Sequence, residues 1–172
     1  MSTLCLSCGL CCDGTIFDVV PLTEREQVVV TRLGLPVIAR SSGPAMPQPC
    51  EALDGLACQV YASRPAPCRA FHCALFDAVA ADEVDLSEAL GVIREAHGLL
   101  AELARTIGDA PEREPYRPPI PGAEPDEAEG VAAGPIQGAR RLQKRRFDPA
   151  IDKALTAVER HLDEHFRGRA RR

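Results

Sequence analysis

The chain has 172 residues, of which 45% are hydrophobic and only 4% aromatic, with no tryptophan and a formal net charge of −5. That length allows one ordinary domain or a small domain with appendages. A core so poor in large rings gains from a second source of stability such as metals or disulfides. No stretch approaches the roughly 18 apolar residues of a membrane-spanning helix, and Met1-Ser2-Thr3-Leu4 does not read as a secretory leader, so the expectation is a cytoplasmic protein with no membrane association.

Eight cysteines dominate the first part of the chain. Four lie in Cys5-Leu6-Ser7-Cys8-Gly9-Leu10-Cys11-Cys12, four more are Cys50, Cys58, Cys68 and Cys73, and the last 99 residues hold none. After the first cluster, Ile16 to Val20 is a β-branched and aromatic run that suits a strand closed by Pro21. Thr23-Glu24-Arg25-Glu26 has capping-box spacing and predicts a helix through about Leu33, ended by Gly34 and Pro36. Ser41 to Pro49 reads as a loop of Ser, Gly and Pro. Asp54-Gly55 between two short segments predicts a hairpin with that pair at the centre of a type I′ turn, which brings Cys50 and Cys58 together.

Ser63-Arg64-Pro65 then predicts a helix start, with Cys68 to Cys73 on or just beyond it. From Asp85 to Gly108 a helical spacing of Leu86, Leu90, Ile93, Leu100, Leu103 and Ile107 predicts a long amphipathic helix packed against the cysteine-rich part. Residues 110–139 hold seven of the fifteen prolines and read as an extended linker. A last helix from Asp148-Pro149 presents Ile151, Leu155, Val158, Leu162 and Phe166 on one face. The expected fold class is α+β: a small metal-stabilised, cysteine-rich domain with short strands, a hairpin and helices, plus a C-terminal helical extension. Its parts are a cysteine-cluster domain over 1–109 with its packing helix at about 85–108, a Pro-rich and basic linker over 110–147, and an amphipathic helix with a basic end over 148–172.

In a reducing compartment, closely spaced cysteines act as ligands or redox groups before they act as disulfides. A Cys-x-x-Cys segment can aim two sulfurs at one centre, as zinc knuckles and iron-sulfur loops do. Cys5, Cys8 and Cys11 match the first three positions of a ferredoxin loop, but the fourth is replaced by an immediate Cys12. Adjacent side chains diverge, so Cys11 and Cys12 suggest two centres, or one centre and a bridge. Eight thiols fill two four-coordinate sites, with a pairing that spacing leaves open. The expected metal ligands are therefore Cys5, Cys8, Cys11, Cys12, Cys50, Cys58, Cys68 and Cys73, holding zinc or iron, with an iron-sulfur cluster among the alternatives. Buried free thiols and a disulfide framework are the competing readings. Arg64 and Arg69 flank Cys68 and are placed to offset the negative field of a tetrathiolate site, and His72 is an alternative ligand beside Cys73.

The paired Cys11-Cys12, together with Tyr61-Ala62-Ser63-Arg64-Pro65-Ala66-Pro67-Cys68-Arg69-Ala70-Phe71, resembles the YkgJ-type cysteine-cluster family, described as a zinc- or iron-chelating domain. The resemblance covers about residues 1–75. It implies metal chelation by the eight cysteines and supplies no catalytic residue.

Three functional readings follow. One is a metal-binding domain whose site is partly or wholly structural, and another is an iron-sulfur-dependent redox or modifying enzyme. The third starts from a charge asymmetry: residues 1–139 carry −11, and residues 140–172 carry +6. An adaptor would use that basic tail, with five positive charges in Arg140 to Arg146, to bind an acidic protein or nucleic acid. His161-Leu162-Asp163-Glu164-His165 fits a zinc-peptidase pattern, but in a chain too short for the rest of a peptidase. Ordinary residues of an amphipathic helix are the simpler reading. His97 is likewise read as a helix residue with no partner in view.

Overall fold

The computed structural model describes residues 2–108, 135–145 and 148–167. These combine helices with two small antiparallel sheets, an α+β architecture. They fall into two compact units. A sheet unit runs from Gly9 to Phe71, and a helical unit takes the residues up to Cys8, those from His72 through 108, and those from Pro135 on. Residues 110–134 of the expected linker and the basic end at 168–172 lie outside the described residues.

In the sheet unit, β1 (Val19–Pro21), α2 (Glu24–Arg32), β2 (Ile38–Arg40) and β3 (Gly43–Pro47) follow α1 (Ser2–Leu6) of the other unit in chain order. The sheet order is β1-β3-β2, both pairings antiparallel. α2 begins as the sequence predicts: the Thr23 side chain accepts from the Glu26 amide, and the Glu26 carboxylate accepts from the Thr23 amide. Such a cap is worth roughly 0.5–2 kcal/mol. Of the Val28-Val29-Val30 run only Val30 is buried, and it joins Val20, Leu22, Leu35, Met46, Cys50 and Ala52 in the core.

β3 is a departure from the expected loop. A central strand with two prolines is unusual, since proline has no amide to donate to the ladder. The register explains it: Ala45 pairs with both Pro21 and Ile38, whereas Pro44 pairs only toward β2 and Pro47 only toward β1. Each proline thus needs a partner on one side alone, and the Pro44 carbonyl still accepts from the Leu22 amide at 2.9 Å.

The predicted hairpin is present, as β4 (Leu53–Asp54) and β5 (Ala57–Cys58), but its turn is shifted by one residue. Asp54 pairs with Ala57, so Gly55 and Leu56 are the central residues, and it is Gly55 that has φ +57°. A single positive φ at the first central position is a type II′ pattern, not type I′. A 3₁₀ turn over Tyr61–Ser63 and α3 (Ala66–Ala70) complete this unit, with Pro65 at the N-cap of α3.

The helical unit contains α1, α4 (Ala74–Ala80), α5 (Leu86–Ile107), α6 (Pro135–Arg145) and α7 (Pro149–His165). α5 starts where predicted, with the Asp85 carboxylate capping the Glu88 amide, and ends at Gly108. It packs against α7 and α6, and also touches α1 and α4. Its buried line is Ala89, Ile93, Ala96, Leu100 and Leu103, while Leu86 is exposed. Two alanines in that line let neighbouring helices approach closely, as helix packing requires at contact points. α7 and its C-cap residue Phe166 bury all five predicted residues, Ile151, Leu155, Val158, Leu162 and Phe166, and α7 adds His161. Each fully buried Leu, Val or Phe contributes roughly 1.5–3 kcal/mol. An Asp substituted for Leu103, which is completely buried, would place a charge in this seam.

α6 occupies residues expected to belong to the linker. Its Pro135 stands at the helix start, and Ile136 and Ala139, three apart, are buried. The Arg140 guanidinium pairs with Glu159 of α7, which uses one charge of the basic run inside the unit. Among the described residues, no helix is long and apolar enough to cross a membrane.

Candidate metal centre

The sheet unit presents four cysteines from four separate segments. Cys12 follows a turn in which the Gly9 carbonyl accepts from the amides of Cys12 (2.8 Å) and Asp13 (3.0 Å). Gly9 has φ +69°, and a Cβ there would meet the Leu56 backbone at 3.4 Å, so both the turn and the close approach call for glycine. The Asp13 carboxylate accepts from Thr15 at 2.8 Å and stiffens the same loop. The Cys50 amide donates to the Cys12 carbonyl at 2.7 Å, which holds these two cysteines side by side. Cys50 is buried in the core, with Cys12 and Cys68 packed against the same cluster. Cys58 comes in on β5, opposite Leu53, whose amide donates to the Cys50 carbonyl at 3.0 Å.

Electrostatics links the four thiols. Burial first, then Cys50, Cys58 and Cys68 in turn, push the Cys12 thiol from its ordinary 9.0 up to about 12, with Asp13 adding to the rise. Burial and then Cys50 push Cys68 up to about 11, with Arg64 acting in the opposite direction. Arg64 thus acts on Cys68 in the direction that favours its thiolate. Arg69 acts elsewhere: it donates to the Arg64 carbonyl and faces Glu26. Arg64 itself lies over the Tyr61 ring, 3.6 Å from its centroid, and donates to the Tyr61 carbonyl at 2.9 Å. Thus Tyr61, Arg64 and Arg69 of the motif shape the segment that carries Cys68.

The remaining cysteines are divided. Cys5 lies on α1 and Cys8 just after it, with the Cys8 amide donating to the Cys5 carbonyl at 3.2 Å. Cys73 is the N-cap of α4, and its sulfur accepts from the Phe76 amide at 3.4 Å. Burial raises the Cys73 thiol, Phe76 partly compensates, and the field of Cys5 adds to the rise. Cys5 and Cys73 thus sense each other within the helical unit. Cys11 belongs to the sheet unit, next to Cys12. His72 is exposed, stacks on Phe76 with ring centroids 4.3 Å apart, and stands 3.6 Å from the Asp77 carboxylate.

Two histidines have partners that their sequence surroundings do not reveal. His97, expected to lack a partner, donates through Nε2 to the Cys8 carbonyl at 2.8 Å, a contact across 89 residues of chain. His161, from the peptidase-like pattern, is buried and donates through Nε2 to the Val92 carbonyl at 3.1 Å. That is a structural bond between α7 and α5.

The donor chemistry of Cys12, Cys50, Cys58 and Cys68 suits a soft or borderline metal: four sulfurs, no competing oxygen donor required, and a field that a cation would relieve. Among the described residues, no three or more His, Cys, Asp and Glu side chains are gathered into a ready-made metal site, and no disulfide joins any of the eight cysteines.

A family model described as "CxxCxxCC: Putative zinc- or iron-chelating domain" matches residues 4–89, half of the chain. The chain belongs to the CxxCxxCC family. The match spans all eight cysteines of this CxxCxxCC protein and supports zinc or iron binding. No curated protein and no solved structure matches it.

Proposed function

We propose that this CxxCxxCC protein is a metal-binding module in which Cys12, Cys50, Cys58 and Cys68 hold one zinc or iron ion as thiolates. Cys5, Cys8 and Cys73 in the helical unit, and Cys11 in the sheet unit, supply further thiol ligands within their own units. The observation that carries this reading is the convergence of Cys12, Cys50 and Cys68, from three distant segments, on one core cluster. Thiols scattered in a core for packing alone need not meet in this way. Family membership supplies the class of metal.

The role of the sheet-unit ion is structural. A bound ion supplies a cross-link between segments, and structural zinc contributes an apparent ~10–16 kcal/mol to folding. The protein would work in a reducing compartment, where thiols stay available as ligands.

Metal analysis and visible absorption of anaerobically purified protein test the proposal. The expected result is stoichiometric zinc or iron that is lost, together with the circular dichroism of the sheet unit, on treatment with a strong chelator. Metal-free protein with unchanged spectra would refute it. A brown protein whose absorption bleaches on reduction would favour an iron-sulfur centre, and a colourless, zinc-loaded protein from iron-replete cells would exclude one.

A further inference from the structure

α3 carries Cys68 but has weak means of holding itself together. It is five residues long, its N-cap is Pro65, which offers no side-chain acceptor, and its second residue, Pro67, has no amide hydrogen. A helix of one turn is marginal without outside support. That support comes from α2: Glu26 Oε1 accepts from the Ala66 amide at 2.7 Å, across 40 residues of chain. The other oxygen, Oε2, is engaged by the Thr23 amide at 2.9 Å and the Thr23 hydroxyl at 2.8 Å. One carboxylate therefore completes the cap of α2 and caps α3 in trans.

We infer that Glu26 is a positioning residue for the metal site: by capping α3 from α2 it fixes the helix that presents Cys68. The inference rests on the thiol assignment proposed above. A negative charge near thiolates is electrostatically adverse, which separates the two roles Glu26 could have. If charge mattered most, Glu26→Gln and Glu26→Ala would bind metal equally well and better than the wild type. If position matters, glutamine keeps an oxygen that can accept from Ala66, and alanine does not.

The test uses the full, reduced chain and Co²⁺ competed against a chelator, read by thiolate-to-cobalt absorption. Glu26→Ala should weaken binding about tenfold, the lower end of what loss of an outer-shell partner costs. Glu26→Gln should stay within about threefold of the wild type. Thr23→Ala, which removes the cap of α2 but leaves Oε1 for Ala66, should do the same. If Glu26→Ala does not fold, Ala66→Pro serves in its place, since it removes the donor at a position where helices tolerate proline, and about tenfold weakening is again expected.

Binding by Glu26→Ala or Ala66→Pro within about threefold of the wild type would overturn the inference, as would equal losses in Glu26→Ala and Thr23→Ala. A wild type that takes up no Co²⁺ through thiolates would overturn the thiol assignment, and the link between Glu26 and metal with it. The cap is read separately from hydrogen exchange of the Ala66 amide, expected to be at least about tenfold faster in Glu26→Ala than in the wild type. Equal exchange rates would overturn the cap itself.

Discussion

Metal-free protein should lose stability in alkali through Cys12, and metal-loaded protein should not. In the folded chain without metal, burial and the neighbouring thiols raise Cys12 from 9.0 to about 12. The unfolded chain ionises this thiol near pH 9, while the folded chain keeps its proton until about pH 12. Stability is therefore fully present below pH 9 and falls as pH rises through that window. One pH unit above the unfolded pKa costs about 1.4 kcal/mol, and the whole interval about 4 kcal/mol. Cys68, raised to about 11, adds a smaller contribution of the same sign. Bound metal reverses the linkage, because the folded thiolates are then already ionised and stability rises with pH until the unfolded thiols also ionise. The assay is urea unfolding at pH 8 and pH 10, followed by circular dichroism, on reduced chelator-treated protein, on zinc-loaded protein and on metal-free Cys12→Ser. The serine variant isolates Cys12 from other groups that titrate in this range. Between pH 8 and 10, metal-free wild type should lose about 1.4 kcal/mol more than Cys12→Ser. Equal losses in the two metal-free proteins, or an equal loss in the zinc-loaded one, would refute the reasoning.

Cys50→Ser and Cys58→Ser should each abolish thiolate-bound metal in the sheet unit, whereas Cys73→Ser should leave that equivalent in place. Counting Co²⁺ equivalents per chain distinguishes the cases. Phe166→Ala, at a side chain only 2% exposed, should cost about 3–5 kcal/mol of helical-unit stability, seen in thermal melts of the loaded protein. His161→Ala should remove the bond to the Val92 carbonyl at a cost of about 1–3 kcal/mol and leave metal content unchanged. Loss of metal in that variant would show that the peptidase-like pattern is a site after all.

Local signals were readable in the sequence because their physics is local. The Thr23–Glu26 box, the helix starts near Asp85 and Asp148 and the apolar spacing of α5 and α7 lie within a few residues of what they determine. β3 was hidden because its prolines argue against a central strand, and only the staggered pairing around Ala45 makes them acceptable. α6 was hidden by the density of prolines before it, although Pro135 marks its start and Ile136 and Ala139 have helical spacing. The hairpin turn lies one residue beyond the place that Asp54-Gly55 implies, because Asp-Gly and Gly-Leu centres differ only in register. Within the candidate site, the thiols themselves were legible as a cluster. Glu26 at Ala66 and His97 at Cys8 were not, since they join residues 40 and 89 positions apart.

The opening octet changes meaning once the fold is known. Its spacing suggests three ligands of one loop, as in a ferredoxin. Cys5 and Cys8 lie in the helical unit, while Cys11 and Cys12 lie in the sheet unit, where Cys12 and Cys68 pack against the core cluster that includes Cys50. An ion held by Cys12 and Cys50 would close a loop of about 38 residues, and loop closure removes more unfolded-state entropy the longer the loop. That loop contains β1, α2, β2 and β3, and so most of the core of the unit. The buried members of that core are Val20, Leu22, Val30, Leu35, Met46, Cys50 and Ala52, with no aromatic ring among them. Phe17 and Phe71 do pair edge to face, 4.6 Å apart, but neither is fully buried. A metal cross-link at Cys12 and Cys50 would therefore act on a core whose buried members are aliphatic side chains and one thiol, with no ring to add bulk.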